Sequence, residues 1–284
     1  MPDLTYVRAH SLSQAIAFLN EPGVRSRPLA GGTDLLIQIR DGAFPYDRVI
    51  DIGQVPELKG IDVGEETITL GAGVTFTEIL EHPSLGTRLP LLTQACREIA
   101  GVQIRNRATL GGNVINAAAC ADTLVVLICL EANAIIALPD GSETSRPVAQ
   151  LVTGPGHTQL PAGALVRAFT FTAPPDPTRT VYLRVGRRRA MVIARLSLAA
   201  LAALDRHGKV TELRLVPGAA FSPIRRVVEV ERLLLGQTPT AALFERAGAK
   251  MEDALRTAGG RWSAAYKLPV LAALTVQALQ DVLR

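Results

Sequence analysis

Two short glycine-containing segments have residue types that suit phosphate binding. The first, LAGGTDL, spans residues 29–35, and the second, TLGGNV, spans residues 109–114. Paired glycines let backbone N–H groups turn toward a ligand and approach it closely, while Thr and Asn add short hydrogen-bonding side chains. Two such loops could hold a diphosphate together, although either loop alone is equally well explained as an ordinary turn.

Two other features could also contact an anionic or polar ligand. Arginines at positions 184, 187, 188, 189 and 195 form a basic run, for which a solvated charged surface is the more common explanation. Aromatic residues make up only 4% of the chain, which disfavours nucleic acid as a partner because base stacking needs them. Asp122 follows a stretch of Ala and Cys and could either cap a helix or bind a ligand hydroxyl.

Several common catalytic and nucleotide-binding signatures are absent from the sequence. There is no G-x-G-x-x-G, no P-loop and no G-x-S-x-G, which disfavours a classical dinucleotide fold, a P-loop NTPase and a hydrolase. Cys96, Cys120 and Cys129 lack the close pairing of a zinc or iron–sulfur site, and the four histidines are scattered. We therefore assign no catalytic and no metal-ligating residue.

The two glycine loops are flanked by alternating helix and strand patterns. Apolar spacing predicts a helix over 12–19 after the N-cap Ser11, and further elements at 27–30 (strand), 35–39 (helix), 49–52 (strand), 67–72 (strand), 75–80 (helix) and 90–100 (helix). Residues 124–130 and 134–138 are apolar throughout, and periodicity alone leaves strands and a buried helix equally open. The first half of the chain is thus predicted to contain two compact α/β units.

A proline cluster at 173–177 marks the most plausible domain boundary. Beyond it, residues 196–204 have helical propensity, but the turn at 205–208 and the strand pattern at 210–216 favour a hairpin. Helical patterns follow at 227–235, 240–255 and 263–283, with Pro239 suited to a first helical turn. The second half is predicted to be a small sheet with helices.

Composition is consistent with two globular domains. The 284 residues are 48% hydrophobic and 20% charged, enough apolar content for a sizeable core. The net charge of +4 is a mild basic excess that could favour an anionic ligand. No apolar run approaches a membrane span, and the first residues lack the basic flank and apolar stretch of a secretion signal, so we expect a cytoplasmic protein without a membrane span.

An ordered series of motifs resembles one known family. The motifs are PLAGGTDLL at 28–36, VIDI at 49–52, LGAGVT at 70–75, IRNRATLGGNVINA at 104–117, Asp122, YLRVGRRRA at 182–190 and AAYKLPVLAAL at 264–274. Together they resemble the FAD-binding medium subunit of the molybdenum hydroxylases, which include carbon monoxide dehydrogenase and the xanthine dehydrogenases. The series covers nearly the whole chain and is far more specific than either glycine loop.

The resemblance implies an α+β fold. A vanillyl-alcohol-oxidase-type FAD-binding domain would occupy residues 1–175, as two α/β subdomains at about 1–55 and 56–175 with FAD between them. A small C-terminal α/β domain of a sheet plus helices would occupy residues 178–284.

The same resemblance implies a cofactor site. Residues 30–35 and 109–113 would hold the FAD diphosphate through backbone amides, and Asp122 would bind a polar part of the cofactor. Leu165 would line the adenine or flavin pocket, and Arg184 stands where relatives often have a Lys beside the flavin. The expected FAD contacts are Leu29, Ala30, Gly31, Gly32, Thr33, Asp34, Leu35, Thr109, Leu110, Gly111, Gly112, Asn113, Asp122, Leu165 and Arg184.

The relatives oxidise their substrate at a molybdenum cofactor and pass electrons through two [2Fe-2S] clusters to FAD, which reduces NAD, a quinone or oxygen. The resemblance therefore implies a large molybdopterin-binding subunit and a small [2Fe-2S] subunit as partners, in a dimer of heterotrimers. A noncatalytic scaffold subunit and a stand-alone flavin oxidoreductase are the alternatives.

Two segments depart from the family pattern. Residues 118–122 read AACAD where relatives commonly have Ser-Pro-Ala-Ala-Asp, so a hydroxyl and a rigid turn are missing beside the expected FAD site. Relatives also often carry an acid near Val192, which this chain lacks. The altered 118–122 loop is the feature that motivates the scaffold alternative.

Overall fold

The computed structural model describes residues 4–42, 44–175, 177–188, 191–259 and 264–284. Its first unit is a small parallel sheet with two helices, in the order β1 (Thr5–Arg8), α1 (Leu12–Leu19), β2 (Ser26–Leu29), α2 (Leu35–Arg40) and β3 (Arg48–Asp51). Strand β3 lies between β1 and β2 and pairs in parallel with both. Helix α1 begins as predicted after Ser11, whose hydroxyl accepts a hydrogen bond from the Gln14 N–H at 3.1 Å.

The second unit contains an antiparallel five-stranded sheet and several helices. A single 3-10 turn (Pro56–Leu58) precedes it, and its elements are β4 (Ile61–Val63), β5 (Thr67–Gly71), α3 (Phe76–Glu81), α4 (Leu85–Arg88), α5 (Pro90–Glu98), α6 (Val102–Arg105), α7 (Leu110–Asn116), α8 (Asp122–Cys129), β6 (Asn133–Ala137), β7 (Glu143–Pro147), α9 (Val148–Leu151), β8 (Val152–Gly154), β9 (His157–Thr158) and β10 (Leu165–Thr172). The sheet order is β4-β5-β10-β6-β7, while β8 and β9 form a separate two-stranded pair.

Helix α8 resolves the apolar segment whose structure the sequence left open. All eight of its residues are buried, and it contacts α5, α7, β12 and β13. A helix covered on all sides needs no polar face, so its sequence carries no helical period. The following apolar residues form strand β6.

The third unit is an antiparallel sheet with helices. It comprises β11 (Arg179–Val185), β12 (Leu196–Leu204), β13 (Val210–Gly218), α10 (Val228–Leu234), α11 (Ala241–Thr257) and α12 (Ala264–Leu283). The predicted strand and hairpin at 196–216 are confirmed, with β12 at the centre of the sheet. Leu198 and Ala200 of β12 belong to the core with the C-terminal helices, whereas Ala199 and Leu201 pack into the core around α8. Because both faces are covered, the strand is apolar except for the buried Ser197.

The mixed architecture confirms the expected α+β class. The placement of Pro239 in a first helical turn is wrong, because Pro239 precedes Thr240, the N-cap whose hydroxyl accepts from the Leu243 N–H at 3.2 Å. Asp176 of the proline cluster, Arg189 of the basic run and Ser263 at the predicted start of the last helix lie outside the described residues. No described helix is both long enough and apolar enough to cross a membrane.

The crossing of α11 and α12 generates a stability prediction. A Cβ at Gly248 would lie 2.9 Å from Val276 Cγ2 and 3.0 Å from the Ala272 carbonyl oxygen. Replacing a helical Gly by Ala normally stabilises by about 1 kcal/mol. For Gly248→Ala we expect the opposite sign, a loss of about 1–3 kcal/mol in the free energy of unfolding from overpacking, measured by urea denaturation.

Gly86→Ala in α4 is the matched control, since no heavy atom lies within 4 Å of an added Cβ there. This control should retain or slightly exceed the stability of the parent chain. A Gly248→Ala chain at least as stable as the parent would contradict the close helix crossing.

Candidate functional site

A cavity of about 1220 Å³ opens between the first and second units. Most of its lining comes from five separate segments, within residues 26–38, 51–59, 72–81, 106–116 and 160–166, and Arg8, Leu19 and Tyr46 complete it. Small-molecule pockets typically measure about 300–1,000 Å³. The cavity is therefore large enough for a ligand of dinucleotide size.

The loop after β2 forms one wall of the cavity, and its two glycines have different structural roles. Gly32 has φ +78°, a left-handed conformation that turns the chain into α2. The Gly31 backbone packs against the second unit, because an added Cβ would overlap the carbonyl oxygen of Arg107. The absence of a side chain at Gly31 thus lets the two units approach each other at the cavity.

This first loop presents unused hydrogen-bond donors. Within the described part of the chain, the backbone N–H groups of residues 31–34 find no acceptor. Consecutive N–H groups in a turn form a concave site for an anion. The geometry therefore supports the phosphate-binding interpretation of the first glycine pair.

The second glycine loop uses its amides differently. The N–H groups of Leu110 and Gly111 donate to the carbonyl oxygens of Val74 (2.9 Å) and Ala72 (2.7 Å). Those of Gly112 and Asn113 donate to the Thr109 hydroxyl (3.1 Å) and carbonyl (3.0 Å). The amides of residues 110–113 are thus engaged inside the protein, and the loop's contribution to the cavity is its close backbone approach and polar side chains.

A side-chain hydrogen bond joins the first loop to α7 at the cavity. The Asn116 amide nitrogen donates to Asp34 Oδ1 at 3.1 Å, a bond between the first and second units. Ionised side chains of both signs line the cavity: Arg8, Arg27, Lys59, Arg107, Asp34, Asp51, Glu78 and Glu81. Because these charges balance, neutral N–H dipoles rather than a positive excess would have to hold a diphosphate.

Most of the residues expected to contact FAD line this cavity, including Ala30 to Leu35, Thr109, Gly111 to Asn113, and Leu165. Leu29 and Leu110 do not; Leu110 is fully buried in the core. Asp122 and Arg184 lie elsewhere as well. These two polar residues form a separate buried cluster.

That cluster joins α8 to β11. The Tyr182 hydroxyl donates to Asp122, and Arg184 Nε lies 3.4 Å from Asp122 Oδ1. Arg184 also donates through Nη1 to the Glu98 carbonyl oxygen at 2.8 Å. Burial raises the pKa of the Asp122 carboxyl, against the opposing effects of Tyr182 and Arg184. Asp122 is the first residue of α8 and Ala121 is the N-cap, so Asp122 does not cap the helix. Asp122 also lies outside the cavity lining.

Several cavity residues were missed by the sequence reasoning. Lys59, Asn106 and Arg107 line the cavity, as does the segment 160–166 around Leu165. The motif IRNRATLGGNVINA contains both Asn106 and Arg107. The whole motif, and not only its glycine pair, therefore pointed to the cavity. Lys59 carried no such signal, because a lone Lys in a turn has no pattern that separates it from a solvated charge. The described residues include no group of three or more His, Cys, Asp or Glu that could hold a metal ion.

Two family models match successive parts of the chain. A family model described as "FAD binding domain in molybdopterin dehydrogenase" matches residues 2–173. A second model, "CO dehydrogenase flavoprotein C-terminal domain", matches residues 181–282.

Curated relatives and solved structures point the same way. The chain is 38% identical over 226 residues to the putative xanthine dehydrogenase FAD-binding subunit XdhB of Escherichia coli K12, covering 78% of this chain and 76% of that protein. It is 29% identical over 282 residues to the glyceraldehyde dehydrogenase medium chain of Sulfolobus acidocaldarius, covering 99% of both. A solved carbon monoxide dehydrogenase from Hydrogenophaga pseudoflava matches with a TM-score of 0.92 and 25% identity, over 99% of this chain and 97% of that one.

Fold and cavity together define a flavoprotein of the oxidoreductase class. More specifically, the chain belongs to the family of FAD-binding subunits of molybdopterin dehydrogenases. The family, the fold class and the FAD cofactor predicted from the sequence are confirmed.

The contact at Gly31 generates a binding prediction. In Gly31→Ala, the new Cβ would meet the Arg107 backbone, so the loop carrying the free amides must move away. We expect FAD affinity to fall at least about tenfold, equivalent to about 1.4 kcal/mol. Titration of the apoprotein with FAD, followed by quenching of flavin fluorescence, measures the change.

Gly23→Ala controls for general destabilisation. Its φ of +78° makes Ala unfavourable there, but no heavy atom lies within 4 Å and the position is outside the cavity lining. This variant should lose some stability and keep its FAD affinity. Equal affinities of Gly31→Ala and the parent chain would show that the first loop does not hold the cofactor.

The three cysteines are expected to differ in reactivity. Cys96 and Cys129 are buried, and burial raises the pKa of the Cys129 thiol to about 12. Cys120 is half-buried, with its pKa raised by burial and by the nearby Asp122 carboxylate. A thiol-disulfide reagent should therefore label one thiol per native chain, faster as pH rises. Labelling should disappear in Cys120→Ser, and native labelling of two or three thiols would contradict the buried placements.

Proposed function

We propose that this chain is the electron-output subunit of a molybdenum hydroxylase complex. It receives electrons from the [2Fe-2S] clusters of a small partner subunit and delivers them to a final acceptor. The observation that carries the proposal is the dinucleotide-sized cavity walled by the four free amides of residues 31–34.

The residues present fit FAD by shape and by donor chemistry. The amides of Gly31 to Asp34 would hold the diphosphate, and the close packing at Gly31 would fix their position. Leu165 and its neighbours would supply an apolar wall for a ring system. When bound, FAD supplies redox chemistry, because its isoalloxazine ring exchanges electrons with its partners. The chain itself would bind, orient and shield that ring, and needs no acid–base residue of its own.

The same proposal includes the organisation of the complex. A large molybdopterin-binding subunit would oxidise the substrate, and the whole would assemble as a dimer of heterotrimers with NAD, a quinone or oxygen as acceptor. An FAD-binding domain of residues 1–175 and a C-terminal domain of residues 178–284 are part of the proposal. Asp122 and Arg184 would act by attaching α8 to β11, at a distance from the cavity lining. The cytoplasmic location stays a prediction.

An absorbance spectrum of the purified chain, with and without added FAD, is the first test. We expect one FAD per chain, without iron or molybdenum. The FAD-loaded chain is then mixed anaerobically with its reduced [2Fe-2S] subunit, and the visible absorbance of the flavin should bleach. The control is the same subunit in its oxidised state.

The outcomes separate the alternatives. A chain that takes up no FAD, alone or co-expressed with its partners, would be a scaffold subunit. Turnover of a small molecule by the chain alone would identify a stand-alone flavin oxidoreductase. FAD uptake without reduction by the iron–sulfur subunit would contradict the proposed electron transfer.

A further inference from the structure

The carboxyl end of β3 carries an acidic side chain that the diphosphate site does not use. Asp51, the last residue of β3, lines the cavity although its side chain is only 16% exposed. The register of the parallel sheet places Asp51 directly beside Arg8, the last residue of β1, and Leu29, the last residue of β2. Ligands of open α/β sheets bind at such carboxyl ends of strands. Asp51 is therefore placed to contact a ligand.

Three hydrogen bonds from the protein hold the Asp51 carboxylate in place. Oδ2 accepts from the Tyr6 hydroxyl and from Arg8 Nε (3.2 Å), and Oδ1 accepts from the Gly53 N–H at 2.8 Å. Burial opposes ionisation, but these hydrogen bonds lower the pKa of the Asp51 carboxyl. An ionised carboxylate offers about four lone-pair positions and no donor. Described residues occupy three of them, so Asp51 can still accept one hydrogen bond from a ligand hydroxyl or amino group, whereas it would repel a phosphate.

The amides of residues 31–34 lie next to this carboxylate. Adjacent strands are about 4.8 Å apart, and the loop begins directly after Leu29, the in-register neighbour of Asp51. An added Cβ at Gly53 would lie 3.1 Å from Asp51 Oδ1 and 3.7 Å from the Ala30 carbonyl oxygen, so the carboxylate and the start of the loop flank the same glycine. A diphosphate held by these amides therefore brings the group bonded to it toward Asp51. In FAD that group bears hydroxyls on both sides, as the ribose of adenosine or the ribityl chain of the flavin.

A planar surface farther along the cavity favours the ribose. Arg27 stands two residues before Leu29 in β2 and therefore lies on the same face of the sheet as Leu29 and Asp51. The Arg27 guanidinium carbon lies 5.6 Å from the centroid of the Tyr46 ring, and both half-buried side chains line the cavity. Guanidinium and aromatic planes stack on nucleobases.

The spacing of these groups along β2 matches a nucleotide. The stacking surface of Arg27 and Tyr46 comes first, the level of Asp51 follows, and the amides of residues 31–34 come last, which is the order base, ribose and phosphate. Two residues of a strand span about 7 Å. That step suits the compact ribose better than the five-carbon ribityl chain.

We propose that Asp51 determines cofactor specificity by accepting a hydrogen bond from a ribose hydroxyl of the adenosine half of FAD, while Arg27 and Tyr46 stack on the adenine ring. This inference rests on the proposed placement of the FAD diphosphate at residues 31–34. It adds that the chain selects FAD over FMN, because FMN has neither the ribose nor the adenine. A site built to hydrogen-bond a ligand hydroxyl discriminates strongly against a ligand that lacks it.

Asp51→Asn tests the hydroxyl contact, since the amide keeps the size of the carboxylate and removes its charge. The full-length apoprotein is titrated with FAD and with FMN, and binding is followed by quenching of flavin fluorescence. We expect the FAD affinity to fall at least about tenfold and the FMN affinity to stay unchanged. Arg27→Met removes the guanidinium plane, and it should likewise weaken FAD binding and leave FMN binding unchanged.

Displacement of bound FAD by two nucleotides isolates the ribose. ADP carries both ribose hydroxyls, whereas 2′,3′-dideoxy-ADP carries neither. The parent chain should bind ADP at least about fivefold more tightly than 2′,3′-dideoxy-ADP. Asp51→Asn should bind the two nucleotides alike.

Asp47→Asn is the matched control. Asp47 directly precedes β3, and its carboxylate is also ion-paired with an arginine, Arg25, but it lies outside the cavity lining. The control should bind FAD and FMN as the parent does. Because Asp51 also bonds to its protein neighbours, its loss could loosen the whole site, but that would lower the FAD and FMN affinities together. The ratio of the two affinities therefore separates ribose binding from a merely structural role.

Each outcome bears on a different claim. A parent-like ratio of FAD to FMN affinity in Asp51→Asn and Arg27→Met would overturn the adenosine site and leave the proposed function standing. Equal losses of FAD and FMN affinity in Asp51→Asn would point to the ribityl chain or to a structural role, and the proposal would be wrong. Equal displacement of FAD by the two nucleotides from the parent chain, or none, would also contradict it. Failure of the unmodified chain to bind FAD would instead overturn the proposed function.

Discussion

The backbone contact between Gly31 and Arg107 is the constraint on which the cofactor site depends. It brings the loop after β2 against the segment that leads into α7, and any side chain at position 31 would collide with a carbonyl oxygen. The Asn116–Asp34 hydrogen bond fastens the same junction from the side. Because the two units meet here through backbone atoms, the free amides of residues 31–34 are held where a ligand in the cavity can reach them. Binding then requires little further ordering of the loop, which preserves affinity.

A second constraint is the burial of α8. This helix is covered by neighbouring helices and by the sheet of the third unit, so one face of that sheet packs into the same hydrophobic core. The Asp122, Tyr182 and Arg184 cluster supplies the polar connection within that apolar contact. Toward the other end of α8, Arg226 bonds both Glu131 and the buried Glu231, and Arg214 pairs with Glu131 and Glu212. Removing one partner of the buried Asp122–Arg184 pair would be costly, so this pair helps to fix how the third unit packs on the second. The ion pairs of the half-exposed Glu131 with Arg214 and Arg226 cross the same junction and are worth less.

Much of the fold followed from local patterns. The period of α1, the Ser11 cap and the hairpin at 196–216 were each predicted from neighbouring residues, because caps and turns have strong residue preferences. Helix α8 was left open because a segment buried on every side loses the polar face that reveals its period. Pro239 was predicted in the first turn of α11 but lies before the helix, since Thr240 is the better N-cap and the helix begins after it. The expectation for Asp122 and Arg184 came from the family resemblance, and in the structure both side chains turn to each other rather than to the cavity.

The sequence by itself determined the family, the α+β class, the FAD cofactor and the importance of the glycine loops, because these depend on residue types in a fixed order. Only the tertiary structure decided which of the two loops offers its backbone amides to a ligand. The amides of Leu110 to Asn113 are used by the Val74 and Ala72 carbonyls and by Thr109, while those of Gly31 to Asp34 find no acceptor among the described residues. Both loops contain the same Gly-Gly pair, and the Thr109 cap that accepts from the Gly112 and Asn113 amides is a local feature of the second loop. The Val74 and Ala72 carbonyls that accept from Leu110 and Gly111 are brought beside that loop by the fold, and that is a long-range property of the packed chain, which no local pattern shows.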